Sequence, residues 1–207
     1  MTRAVVYGSA FIVIVAATAM TLTSILRPTW VSYHLPLPPQ RSRSSSVIIS
    51  RSLGLHQSCI STSSGQTTCR PFPTRSDCDG EAAFCAMWRT VGWLMSLASV
   101  LEMAALVGVA AVLVGGRARR EGKRGWGVVV GLMGCVGAVL FGGLGIVAYL
   151  FDNYHRFAIP GWRLDTSWIL CAVSGTLVVL AAVGVAISAY VLPPEDGYEF
   201  LPDGPGV

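Results

Sequence analysis

Residues 90–151 read TVGWLMSLASVLEMAALVGVAAVLV, then GGRARREGKRG, then WGVVVGLMGCVGAVLFGGLGIVAYLF. Two long apolar runs are held apart by 11 residues, Gly115 to Gly125, of which five are basic: Arg117, Arg119, Arg120, Lys123 and Arg124. The same kind of apolar run recurs nearer each end, so the chain holds four: Ala4 to Leu26, Thr90 to Val114, Trp126 to Phe151 and Trp168 to Leu192. At about 1.5 Å of rise per residue such runs form helices of roughly 35 to 39 Å, enough to cross a hydrocarbon core of about 30 Å with some tilt. The bulk composition agrees. With 53% hydrophobic and 13% charged residues in 207, and a mean hydropathy of +0.59, the chain carries too little charge to solvate an ordinary globular surface. Four transmembrane helices are the expectation.

Arg3 and the small residues Ala17-Thr18-Ala19 give the first run some features of a cleaved signal peptide. Its apolar stretch continues through Ile25 and Leu26, however, past the about 7 to 15 residues of a signal core, so it reads as a span. The short basic loop 115–125 then sets the topology, because loops this short and this basic stay in the cytosol. Both termini, 1–3 and 193–207, are accordingly expected in the cytosol, and the loops 27–89 and 152–167 on the extracellular or lumenal side. The first loop holds more basic groups in total, but over 63 residues, and the rule weights short loops and positions near span ends. Cysteine usage supports the same side independently: Cys59, Cys69, Cys78 and Cys85 all lie in the first loop, where an oxidising compartment lets disulfides persist. Their spacings, with only His34 and His56 nearby, do not make a zinc site. Cys135 and Cys171 fall inside spans, where small apolar packing is the default role.

Within the first loop, Thr29 to His34 fits a short strand, and Leu35 to Ser46 is a Pro-rich and then Ser/Arg-rich linker. Two Ser/Thr-rich arms flank a turn at Ser64-Gly65, and could pair as a hairpin. In the second loop, Phe157, Pro160, Gly161 and Trp162 suggest an interfacial turn, and Asp165-Thr166-Ser167 can cap the last helix, which Pro193-Pro194 then ends. The third span is rich in glycine, with Gly127 and Gly131, and Ala138 and Gly142, in small-xxx-small register. Close packing inside the bundle is the simpler use of these residues; a contact between copies is the other.

Glu102 is the thirteenth of 25 residues in the second span, near the bilayer midplane, where an acidic charge costs roughly 2.5 to 3.5 kcal/mol. It must be neutral or partnered. No other span offers Lys, Arg or His, so the expected partners are the hydroxyls of Thr18, Thr21, Ser174 or Thr176, with Ser99 one turn away on its own helix.

Trp30 soon after the first span, the segment Gly54-Leu55-His56-Gln57-Ser58-Cys59, a second cysteine at Cys69, Arg89 entering the second span and Ser167-Trp168-Ile169-Leu170 entering the fourth are together similar to the claudin and peripheral myelin protein superfamily. His56 stands where that family has tryptophan, so the chain resembles a distant member, of the fungal tetraspan kind. The resemblance implies an all-α transmembrane four-helix bundle, left-handed, carrying a small extracellular or lumenal β-sheet built from first-loop hairpins and one strand of the second loop. It also implies a disulfide between Cys59 and Cys69. A hairpin with arms of about four residues would bring these two to bonding distance, with Cys59–Cys78 and Cys69–Cys78 as the competing pairings and Cys78–Cys85 as a possible second bridge.

Scattered histidines and few acids do not assemble an acid–base or nucleophilic centre, and Asp77-Cys78-Asp79-Gly80-Glu81 reads as a solvated turn beside cysteines. The expectation is therefore no enzyme and no cofactor. The basic residues sit in loops rather than on a soluble face, which argues against nucleic acid. The expected partners are the lipid bilayer and other membrane proteins or the chain itself. The expected role is a non-catalytic tetraspan that organises membrane domains or adhesion through its clipped first loop; an auxiliary or sensor subunit of a channel, transporter or receptor is the alternative. The basic loop can attract anionic lipid, and Tyr198-Glu199-Phe200-Leu201 in the tail has the form of a tyrosine-based sorting signal around Tyr198 and Leu201.

Overall fold

The computed structural model describes residues 3–34, 50–62, 66–115 and 122–191. Four long helices, α1 (Arg3–Leu26), α2 (Ala82–Gly115), α3 (Gly122–Asn153) and α4 (Thr166–Val191), are each long and apolar enough to cross a membrane. Each packs on two others, α1 on α2, α2 on α3, α3 on α4 and α4 on α1, which closes the bundle. Its core is built from Ile14, Met95, Met133, Leu140, Cys171 and Val178 with their neighbours. A large share of each helix surface remains apolar and outward, as in Ile12, Val100, Val128 and Ile187. That inversion of the soluble pattern is what lipid requires. The chain folds as a multi-pass membrane protein with four spans.

Five short strands form one antiparallel sheet: β1 (Val31–His34), β2 (Ser50–Leu53), β3 (Gln57–Ser61), β4 (Thr67–Pro71) and β5 (Trp162–Leu164), in the order β4-β3-β2-β1-β5. The first loop supplies four of them and the second loop one, which agrees with the expected architecture. The strand expected from Thr29 begins at Val31, and Thr29 and Trp30 instead use their carbonyls to hold the start of α4, accepting from Ser167 N and Asp165 N at 3.0 Å each.

Helix α2 begins eight residues before the expected span. Residues 82–89 are helix formers whose apolar members Phe84 and Trp88, one turn apart, face inward while Arg89 on another face is exposed. The charge of Arg89 marks a hydropathy boundary but no end to the helix. These two aromatics, with Val31, Leu53, Phe72, Leu150 and Phe157, make a second core that fuses the sheet to the bundle. At the other end of the expected loop, α3 already starts at Gly122, so Lys123 and Arg124 belong to its first turn. Arg117, Arg119 and Arg120, the linker 35–46, the turn at Ser64-Gly65, Pro193-Pro194 and the Tyr198 to Leu201 motif lie outside the described residues.

Candidate functional site: a clamped loop sheet above a polar core

Gly54, Leu55 and His56 form the connection between β2 and β3 and press the sheet onto the bundle. Leu55 is buried in the bundle core itself, as is Trp30. The Trp30 indole N–H donates to the Ser24 carbonyl at the end of α1 (2.7 Å), and its main-chain N–H donates to Leu53 O (3.0 Å). Gly54 fits where a side chain cannot: a Cβ there would stand 2.6 Å from Pro28 Cα and 3.1 Å from Gln57 O. Its N–H donates to Gln57 O at 2.8 Å and its carbonyl accepts from the Trp88 indole at 3.3 Å. His56 is exposed and lies over Gly92 of α2.

Cys59 and Cys69 are directly opposed in the β3–β4 register and are bonded to each other, S–S 2.01 Å. The facing arms also share a Ser61–Thr67 hydroxyl contact of 3.0 Å. Cys78 and Cys85 form the second bridge, joining the short 3-10 turn Arg75–Cys78 to the first turn of α2. Of the remaining two, Cys171 is buried as expected, but Cys135 is exposed on the outer side of α3 and packs nothing in the core.

A polar clamp that the sequence reading missed ties the second loop to the first. The Arg156 guanidinium reaches Glu81 (3.1 Å), donates to the Asp77 carbonyl (2.9 Å) and lies over the Phe84 ring, 5.0 Å from its centre. Asp77 in turn pairs with Arg70 of β4 at 2.6 Å and accepts from the main-chain N–H and hydroxyl of Thr74. So the Asp77 to Glu81 segment is a structural joint and not merely a solvated turn. Partial burial works to raise the Asp77 carboxyl, but the Thr74 hydroxyl and N–H and the Arg70 guanidinium outweigh it and hold it below the ordinary carboxylate range. Asp165, expected to cap α4, accepts from the Thr166 N–H (2.7 Å) and hydroxyl (2.9 Å), and there too the hydrogen bonds prevail over burial and lower the carboxyl. Half-buried Arg51 of β2 has its guanidinium lowered, by burial first and then by Arg70 and Arg156 nearby.

Beneath the sheet, Glu102 of α2 is fully buried where α1, α2 and α4 meet. Its Oε1 lies 2.9 Å from Thr21 Oγ1, which lies 2.7 Å from Ser174 Oγ, which donates to the Ala17 carbonyl at 2.8 Å. Two of the expected hydroxyls are therefore brought together. Thr18 also lies against the carboxyl, although its hydroxyl donates to Ile14 O, whereas Ser99 donates to Met95 O and Thr176, which is exposed, to Ala172 O.

The glycines of α3 divide in a way that reverses the simpler expectation. Gly137 and Gly143 face into the bundle, against Val179 and Met95 respectively. Gly127, Gly131, Gly134, Gly142 and Gly145 face outward with Ala138, and a Cβ added at any of the five would meet nothing within 4 Å. In a helix that is apolar all round there is no polar face to orient it, so the sequence could not say which small residues point inward. No family model matches the chain, and no curated protein matches it.

Proposed function

We propose that this chain is a non-catalytic tetraspan of the claudin and peripheral myelin protein kind, a distant and fungal-like member, that organises membrane domains or adhesion by associating laterally with copies of itself. The observation that carries the reading is the outward row Gly127, Gly131, Gly134, Ala138, Gly142 and Gly145 on α3. In lipid, where no hydrophobic force draws helices together, small residues let two backbones approach and gain van der Waals contact. The sheet, fastened by two disulfides and by Trp30, Leu55 and Arg156, is the surface offered to partners. Both termini in the cytosol and the sheet outside, at the plasma membrane or in an internal lumen, belong to the same proposal.

Photobleaching step counts of single fluorescent particles in native membranes test it. The wild type is expected in groups of two or more, and Gly131→Leu with Gly134→Leu as single copies, because both positions face outward and the bundle itself does not need them. Unchanged step counts in the double variant would refute the association face. Purification from native membranes with mass spectrometry separates the alternative: one large partner at fixed stoichiometry is the signature of an auxiliary or sensor subunit.

A further inference from the structure

Three polar contacts link Glu102, Thr21, Ser174 and the Ala17 carbonyl, at 2.9, 2.7 and 2.8 Å. Each has hydrogen-bond length, so each requires one hydrogen. A hydroxyl carries one and a carbonyl none, so Thr21 and Ser174 supply two hydrogens for three contacts. The Ala17 carbonyl can only accept, which fixes the direction: Ser174 donates to Ala17, Ser174 accepts from Thr21, and Thr21 has no hydrogen left for Glu102. The third hydrogen has to come from the carboxyl. The other polar groups around it do not change the count, since Thr18 gives its hydroxyl hydrogen to Ile14 O, Ser24 gives its own to Thr21 O, and the Cys171 thiol points at Met95 Sδ. Ser99 on α2 is committed to Met95 O, and the titratable side chains of α3 between Trp126 and Phe151, Cys135 and Tyr149, are both exposed on its outer side. Glu102 Oε2 is buried with no hydrogen-bond partner among the described residues. As the carbonyl oxygen of a neutral acid it loses one weak bond, whereas as half of a carboxylate it would be an unsolvated charge.

We propose that Glu102 is a proton-binding site in the bundle core, whose carboxyl holds a hydrogen on Oε1 and donates it to Thr21, and so through Ser174 to the Ala17 carbonyl. A carboxyl, two hydroxyls and a main-chain carbonyl are also ligands for a small alkali cation. Such an ion draws the oxygen lone pairs inward in place of hydrogens and spreads the oxygens around itself. Successive oxygen contacts of 2.7 to 2.9 Å are those of a hydrogen-bonded chain instead.

Infrared spectroscopy of the full chain reconstituted at neutral pH in membranes of ether-linked phosphatidylcholine, which has no ester carbonyl, tests this. Carboxyls in water are ionised there and show only carboxylate bands, so the carbonyl stretch of an un-ionised acid is diagnostic. It is expected in the wild type, lost in Glu102→Gln and displaced in frequency in Thr21→Val, where the carboxyl keeps its proton but loses its acceptor. The Thr21→Val arm assigns the band even where Glu102→Gln does not fold. Absence of the band from the wild type overturns the proposal. Its disappearance on adding sodium at constant pH also does so, in favour of a cation site.

Discussion

Gly54→Ala isolates the joint between sheet and bundle, because the added methyl group meets main chain rather than a side chain that can swing aside. Its Cβ would stand 2.6 Å from Pro28 Cα and 3.1 Å from Gln57 O, so either the entry segment after α1 or the β2–β3 connection has to move. Overpacking of this kind costs roughly 1 to 3 kcal/mol. Movement also strains the Gly54 to Gln57 and Trp88 to Gly54 hydrogen bonds, at about 1 kcal/mol each if lost. Against this, removing a glycine from the unfolded chain returns about 0.4 to 1 kcal/mol. The net expectation is a loss of roughly 1 to 4 kcal/mol. Gly131→Ala is the control, since a Cβ there has open space and the helix interior gains about 0.8 to 1 kcal/mol of propensity. Both variants can be compared by denaturant unfolding in mixed micelles, read by tryptophan fluorescence. Equal stability of the two would refute the account of Gly54 as a position of enforced close approach.

Trp30→Phe should cost about 1 to 3 kcal/mol in the same assay, through the lost donation to Ser24 O and the space left in a fully buried site; a neutral effect would mean that Trp30 does not anchor the sheet. Replacing Cys59 and Cys69 together by Ala should lower stability by roughly 2 to 3 kcal/mol by the chain-entropy account of a short loop, and non-reducing peptide mapping of the wild type should return Cys59–Cys69 and Cys78–Cys85 and no other pair. The lowered Asp77 carboxyl contributes stability above the ordinary carboxylate range that is lost as pH falls through its folded value. Acidification should therefore lower the amide protection factors at Thr74 to Cys78, taken as observed exchange against the intrinsic rate at each pH, and Asp77→Asn should make those protection factors low and flat over the same pH range.

The spans were legible because membrane burial needs only length and apolarity, which a run such as Trp126 to Phe151 displays in full. Glu102 could be assigned hydroxyl partners because no opposite charge exists in any span, so elimination did the work. The Cys59–Cys69 pairing followed from spacing and resemblance together. What escaped notice is whatever depends on direction. The outward turn of the α3 glycines, the continuation of α2 back to Ala82 and the reach of Arg156 from the second loop to Asp77 and Glu81 each depend on which face a helix or turn presents. An apolar helix without a polar stripe does not encode that locally, since the choice is made by the packing of its neighbours.

If copies associate through α3, insertion into one membrane with one topology places their sheets on the same side. Each copy then adds its sheet to a shared array, and partners across a gap meet several sheets at once. Linked weak contacts of this kind can raise apparent affinity by about 10² to 10⁴ without any new contact in a single sheet. Gly131→Leu with Gly134→Leu should therefore weaken adhesion between cells or vesicles bearing the chain far more than it changes the sheet. Peptide mapping of the double variant should still return both disulfides, and it should be no less stable to unfolding than the wild type, because neither position faces the core and both changes replace a helix-interior glycine. The comparison requires equal surface density, since avidity depends on local concentration. Adhesion that survives intact in a variant shown to be monomeric would mean that the sheet works alone and that the glycine row does something else.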